Sequence, residues 1–360
     1  MKPNRPSRFS RRSFLGALGA SAAAAGFRLP AHAAEDKTLN FYNWDTYIGE
    51  TTLADFKGAS GIDVKLDLFG DNTELFAKMR EGNPGYDVIV PSNDYVQRMS
   101  EAGLLQPLNH GKIPNFRKNV EKQFQDAGFD PGRKYSMPYM WGTMGIGYRK
   151  SKVKQPPVSW SAVWGKQSEQ YAGRIGWISE PASMIGMVLR YLGYSFNSES
   201  PEEIRKAADQ LITFKKNVKG IFEDNGQDLL ASGEVDLAVE WNGDIAQLAA
   251  EDDDIGYVIP FEGGYYWQDC LCIPKGAPHP QNAHAFMNFL LDAKIGRDLA
   301  DYIQYATPNR AARKLLDDSY NKNPAIFPPQ HIQEKLEPNL YLGETRAQLV
   351  EEEWTRVLSA

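Results

Sequence analysis

The chain has 360 residues, 42% hydrophobic and 24% charged, which is the balance of an ordinary globular protein. Its formal net charge is −6, which argues against nucleic acid as a partner, because phosphate binding wants the opposite sign. Five scattered histidines (32, 110, 279, 284 and 331) and two cysteines give no metal-spaced cluster, so neither a metal nor a cofactor is expected.

The first 33 residues read as a leader. Lys2, Arg5, Arg8, Arg11, Arg12 and Arg28 are basic and nothing there is acidic. A short Ala/Gly-rich apolar run starts at Phe14, and Ala31-His32-Ala33 is a small-x-small cleavage pattern. The run falls short of the roughly 20 residues a membrane span needs. Ser10-Arg11-Arg12-Ser13-Phe14-Leu15 resembles a twin-arginine export signal. Removing 1–33 takes Lys+Arg from 40 to 34 against 46 Asp+Glu, a net charge of −12, which mildly favours cationic solutes.

After the leader, strand and helix patterns alternate. Strands are predicted at 38–42, 63–69 and 86–90, and helices at 51–60, 72–80 and 93–102, several of them closed by Gly. This order predicts a largely parallel sheet with helices on both faces. No Gly-x-Gly-x-x-Gly follows the first strand, so a dinucleotide fold has no local support. A looser stretch covers 106–135. A second α/β region follows, with strands at 144–149, 235–240, 256–260 and 268–274 and helices at 181–192, 201–217, 226–232 and 281–291. The tail from 324 reads as mostly helical. Cys270 and Cys272 fall two apart in a strand and are predicted to be small core residues on one face.

The fold class expected is α/β with two lobes and a ligand cleft between them, closed by a hinge. The division expected is a leader at 1–33, lobe 1 at 34–140 and 267–315, lobe 2 at 141–266, and C-terminal helices at 316–360 packing across both.

Aromatics and carboxylates recur together at the predicted strand ends. Trp44, Asp45 and Tyr47 follow the first strand, and Asp94 follows the third. Glu180 and Ser183 open a helix; Trp241 and Asp244 follow another strand; Trp267 and Asp269 share one strand face; Tyr305 follows a late helix. Such pairs suit an ammonium group: a ring face attracts the cation by about 0.5–2 kcal/mol, and a carboxylate adds a charge-assisted hydrogen bond. Two acidic ends with aromatic walls between them match an apolar stem carrying an amine at each end. Each residue also has a plainer reading: Trp as core, and Asp94, Glu180 or Asp244 as helix caps.

The segments that hold these residues resemble the spermidine/putrescine-binding proteins of bacterial ABC importers over about 37–356. They are Tyr42-Asn43-Trp44 with Tyr47-Ile48, Tyr86 to Ser92, Met137 to Thr143 with Gly145 to Tyr148, Trp241-x-Gly243-Asp244, Trp267-x-Asp269, and Tyr305 to Asn309. The resemblance implies a two-lobe periplasmic fold, a polyamine such as putrescine or spermidine as ligand, a membrane ABC permease as partner, and a monomer. It implies that Trp44 and Tyr47 line the cleft, that Trp241 stacks on methylenes, that Asp244 and Asp269 hold amines, and that Tyr305 closes a wall. Asp45, Asp94 and Ser183 depart from the family's pattern, and Glu180 is the candidate replacement for an acid at Ser183. Other readings are another small amine in the same fold, a ferric-ion binder using Tyr265-Tyr266, a periplasmic enzyme, for which no motif stands, and a sensor partner, which would look the same in sequence.

Overall fold

Alternation in the first strand sets the first half of the sheet. Leu39 and Phe41 of β1 (Thr38–Asn43) are fully buried, because one strand face meets the core. α1 (Thr52–Ser60), β2 (Asp63–Leu68), α2 (Asn72–Glu81), β3 (Val88–Ile89) and α3 (Asn93–Glu101) follow. Gly61 ends α1 with a left-handed φ of 71°, and Asp71 caps α2 by accepting from the Glu74 N–H. β2 and β3 both run parallel to β1, as the strand–helix–strand order predicts. This computed structural model describes residues 35–223 and 225–360; the leader at 1–33 lies outside the described residues.

α4 (Pro114–Asn119) leads to β4 (Ser136–Arg149). Then come α5 (Ser161–Trp164), β5 (Ile175–Ile178), α6 (Pro181–Tyr191), α7 (Pro201–Phe214), β6 (Val218–Phe222), α8 (Gly226–Ala231), β7 (Leu237–Trp241), α9 (Asn242–Glu251) and β8 (Ile255–Val258). β9 (Gly264–Cys272), α10 (Pro280–Leu290) and α11 (Ala293–Ile303) follow. Three one-turn helices, α12 (Arg310–Arg313), α13 (Asp318–Asn321) and α14 (Gln330–Gln333), precede β10 (Leu336–Pro338) and α15 (Glu344–Ser359).

The strand order is β2-β1-β3-β9-β4-β7-β5-β6, with β10 beside β9 and β8 beside β4. The parallel pattern stops at β3: β9 joins it antiparallel, and β4 is antiparallel to β9, β7 and β8. The expectation of a largely parallel sheet therefore holds only for β2-β1-β3 and for β7-β5-β6.

β4 spans both halves. Residues 136–143 pair with β9, and residues 144–149 pair with β7 on one side and β8 on the other. Its start at Ser136 lies well before the predicted 144. Nearly every residue of this strand is buried, so no period-2 alternation marks it. β5, buried throughout, escapes prediction for the same reason. The division expected at 140/141 falls within β4, and that at 266/267 falls within β9.

The tail ties the halves together. α15 packs on α6 and α7, while Arg98 of α3 donates to Glu344 Oε1 from Nε (2.9 Å) and Nη2 (2.6 Å). Cys270 and Cys272 are buried, unbridged and on one face of β9, as expected. Beside them the fully buried Arg133 donates to Gln268 Oε1 (2.7 Å) and Phe124 O (2.9 Å), which fixes β9 from behind.

Asp87 shows how the first half is locked. Its buried carboxylate accepts from the Asn40 N–H (2.8 Å) and the His279 N–H (2.6 Å), joining β1 to the start of α10. Asp87→Ala strands these buried donors, and the expected cost is about 2–3 kcal/mol. Urea unfolding checks this; a loss below about 0.5 kcal/mol would show that the tie is dispensable.

Candidate ligand-binding site

The site forms where β4 changes partners. Trp267 of β9 pairs with Gly142, and Trp241 at the end of β7 pairs with Met144. Asn242, fully buried, accepts from the Thr143 N–H (2.9 Å) and donates to Ala325 O (2.9 Å). A Cβ at Gly142 would lie 2.4 Å from Asn242 Oδ1 and 2.5 Å from the Trp267 ring. Only glycine lets both approach this point.

From here a chain of rings runs outward. Trp241 stands edge-on to Trp267 (centroids 5.9 Å, 89°) and to Tyr265 (6.4 Å, 75°). Trp267 meets Tyr305 at 5.1 Å and 64°, and Tyr305 meets Tyr47 at 5.6 Å and 85°. Edge-to-face contacts of this kind each add about 0.5–1.5 kcal/mol beyond area burial and fix ring orientation. Trp141 and Ala306 exchange backbone hydrogen bonds, which sets Tyr305 in place. A Cβ at Gly243 would lie 2.4 Å from the Tyr305 ring, so the Gly in Trp241-x-Gly243-Asp244 is a packing requirement.

Carboxylates join the chain of rings at more than one place. The Tyr305 hydroxyl donates to Asp244 Oδ2 (2.9 Å). Ser92 Oγ donates to Asp269 Oδ1 (2.7 Å), and the Tyr47 hydroxyl lies beside the same carboxylate. Asp94, in the first turn of α3, lies two residues from Ser92, which bonds Asp269, and its charge acts on Asp269 and Tyr265. Glu180, at the entry to α6, is near enough for its charge to act on Tyr265 and Tyr95. Ser183 shares a 2.7 Å hydrogen bond with the Tyr265 hydroxyl. Ser183 thus bonds Tyr265, while the charges of Glu180 and Asp94 act on the same ring's hydroxyl and that of Asp94 acts on Asp269.

Electrostatics follow from burial. Desolvation pushes Asp269 up to about 7; the Ser92 and Tyr47 hydroxyls hold the rise back and Asp94 adds to it. Desolvation pushes Asp94 up to about 6, against the pull of the Tyr95 N–H, its own N–H, Arg98 and Asn339. Tyr47 and Tyr265 are driven far above the ordinary phenol value by burial and stay neutral. Two neighbouring carboxylates that resist ionisation are a receptor for positive charge: a cation reverses both shifts.

Two predicted residues stand apart from the circuit. Trp44 packs on Phe69 (4.5 Å) and donates its indole N–H to Val90 O (2.9 Å), which ties it to the ends of β1 and β3. Asp45 is exposed and accepts from the Thr46 N–H (2.8 Å); Thr46, at φ 50°, turns the chain there, and the structure does not bring Asp45 to the other acids. Tyr265 and Tyr266 point to opposite faces of β9, so they do not meet at one ion as the ferric reading requires. Among the described residues no group of three His, Cys, Asp or Glu is placed to hold a metal. Ser92, Tyr95, Tyr265 and Asn242 belong to the site without having been singled out for it. Their signal was adjacency, since each lies within two residues of a predicted site residue.

This geometry, a junction of two half-sheets walled by rings and acids, is that of a solute-binding protein. Residues 51–328 match the family described as bacterial extracellular solute-binding protein, and the chain belongs to that family. Its relatives there are polyamine-binding periplasmic proteins. The putrescine-binding periplasmic protein SpuD of Pseudomonas aeruginosa is 33% identical over 347 residues, 91% of this chain and 94% of that protein. The spermidine/putrescine-binding periplasmic protein of Escherichia coli is 35% identical over 313 residues, 86% and 88% of the two chains. Among solved structures, the spermidine/putrescine ABC transporter substrate-binding protein PotD from Streptococcus pneumoniae superposes with a TM-score of 0.79 at 30% identity, covering 89% of this chain and 98% of that one. The fold is the two-lobe fold of periplasmic substrate-binding proteins, as the resemblance implied.

The raised carboxylates predict a pH signature. Asp269 titrates near 7 when folded, against 3.8 for an ordinary Asp. Between those values the folded ligand-free protein binds more protons than the unfolded chain, so this group's contribution to stability falls as pH rises. Asp269→Asn removes the penalty. Its melting temperature relative to wild type is expected to rise between pH 5 and pH 8, measured without ligand. An offset that does not change with pH would contradict the assigned environment.

Proposed function

We propose that this protein captures a polyamine in the periplasm and delivers it to a membrane ABC importer, acting by binding and not by catalysis. The observation that carries this reading is the circuit from Asp244 through Tyr305, Trp267 and Trp241 to Tyr265, Asp94 and Asp269. Carboxylates at separate points hold ammonium groups, and the rings between them cover the methylenes. The names of the relatives support the same ligand class, location and transport role. A different small amine in this fold is the second reading, favoured by the unusual acid at Asp94.

In this reading residues 34–140 and 267–315 form lobe 1, and 141–266 form lobe 2. The partner change in β4 supports that division. The lobes close about the ligand, and the segment 316–360, which contacts helices of both halves, spans them. The basic leader with Arg11-Arg12 directs export by the twin-arginine route and is removed after Ala33. The protein works as a monomer.

A thermal-shift screen of putrescine, spermidine, cadaverine, amino acids and quaternary amines tests the ligand class, because a ligand of the folded state raises the melting temperature by mass action. A shift with polyamines is expected. A clear shift with another solute and none with any amine would overturn the reading. Trp241→Ala and Asp269→Asn are each expected to weaken polyamine binding by at least about tenfold, or about 1.4 kcal/mol, in calorimetry. Unchanged affinity in both would sink the site assignment.

A further inference from the structure

We infer that Glu240 is a positioning residue of the site: it holds the strand-to-helix corner that carries Trp241 and Asp244, without touching the ligand itself. The inference rests on the reading of Trp241 as a wall of the polyamine site and adds the group that aims it.

β7 ends where the sheet comes apart. Its register with β5 stops at Gly176–Ala238, although β7 runs on to Trp241. β5 continues beside β6 to Ile178–Phe222. Beyond Ala238, among the described residues, β7 keeps only β4 beside it. Buried backbone N–H groups at such an edge need other acceptors. Glu240 supplies one. It is fully buried, and the groups it accepts from include the Trp241 N–H on Oε1 (3.0 Å) and the Gly226 N–H on Oε2 (2.9 Å). One carboxylate thus ties the end of β7 to the start of α8.

The partner on α8 is shaped for this contact. A Cβ at Gly226 would lie 2.2 Å from Glu240 Oε2, so only glycine lets the helix backbone come this close. Successive strand side chains point to opposite faces. Glu240 therefore reaches α8 from one face of β7, while Trp241 meets Trp267 and Tyr265 from the other. Trp241 is also the N-cap of α9, and Asp244 in the first turn of that helix accepts from Tyr305. A shift of the Trp241 backbone moves the indole face and the Asp244 carboxylate together. A carboxylate in so dry a place is costly unless hydrogen-bonded, and the bonds that offset the cost here are the ones that fix this corner.

A double-mutant cycle on the mature chain tests this, read by calorimetric titration with putrescine and with spermidine. Glu240→Gln keeps the size of the side chain but turns one accepting oxygen into an amide NH₂, which cannot accept from a backbone N–H. It is expected to weaken binding at least about fivefold, and less than about twofold when Trp241 is already Ala, because its effect runs through that residue. A role in stability alone would not depend on which residue stands at 241. If Glu240→Gln does not fold, Gly226→Ala makes the same test from the other side: Ala suits the first turn of a helix, and its Cβ displaces the carboxylate. Equal losses with Trp and with Ala at 241, or wild-type affinity in the variant tested, would overturn the inference while leaving the polyamine reading intact. Binding of neither amine by wild type would overturn both.

Discussion

The change of partner within β4 is the constraint on which the rest of this structure depends. One continuous strand serves two half-sheets, so whatever stands at Gly142–Met144 stands at their junction. The absence of a side chain at Gly142 lets Asn242 and the Trp267 ring reach the backbone there. Asn242 then holds β4 through the Thr143 N–H and reaches Ala325 in the C-terminal third of the chain. Trp241 and Trp267 are brought face to edge because their strands flank this one point. The binding surface is a product of the junction and not an addition to it.

A second constraint is charge in a dry place. Asp94 and Asp269 sit where burial outweighs their hydrogen bonds, so each holds its proton above the usual carboxylate range. The cost of keeping them buried is offset when a cation enters. In the proposed reading, neutral solutes of similar size are rejected because they leave the acids uncompensated. The edge-to-face rings complete the discrimination by presenting a wall of defined shape that lies ready before a ligand arrives.

Much of this was legible from the chain alone. The Trp-x-Asp spacing in 267–269 shares a strand face, and Trp241 with Asp244 opens a helix, so each pair was readable from local periodicity. The first three strands and their helices were readable for the same reason. β5 and most of β4 were not, because strands buried on both faces carry no alternation. Asp45 looked like a site residue by composition, yet the left-handed Thr46 turns that segment outward. Ser92 carried no role in the sequence and Tyr265 suggested only an iron ligand, since their partners Asp269 and Ser183 lie 177 and 82 residues away.

The sequence by itself determined the class: the order of elements, the acidic body behind a basic first 33 residues, and recurring aromatic–carboxylate pairs at strand ends. These are local properties, set by side-chain period and charge. Only the tertiary structure decided which pairs meet: that Ser183 bonds Tyr265, and that Ser92, two residues before Asp94, bonds the buried Asp269. Those facts depend on contacts between residues far apart in the chain, and on the burial that converts ordinary acids into a receptor for positive charge.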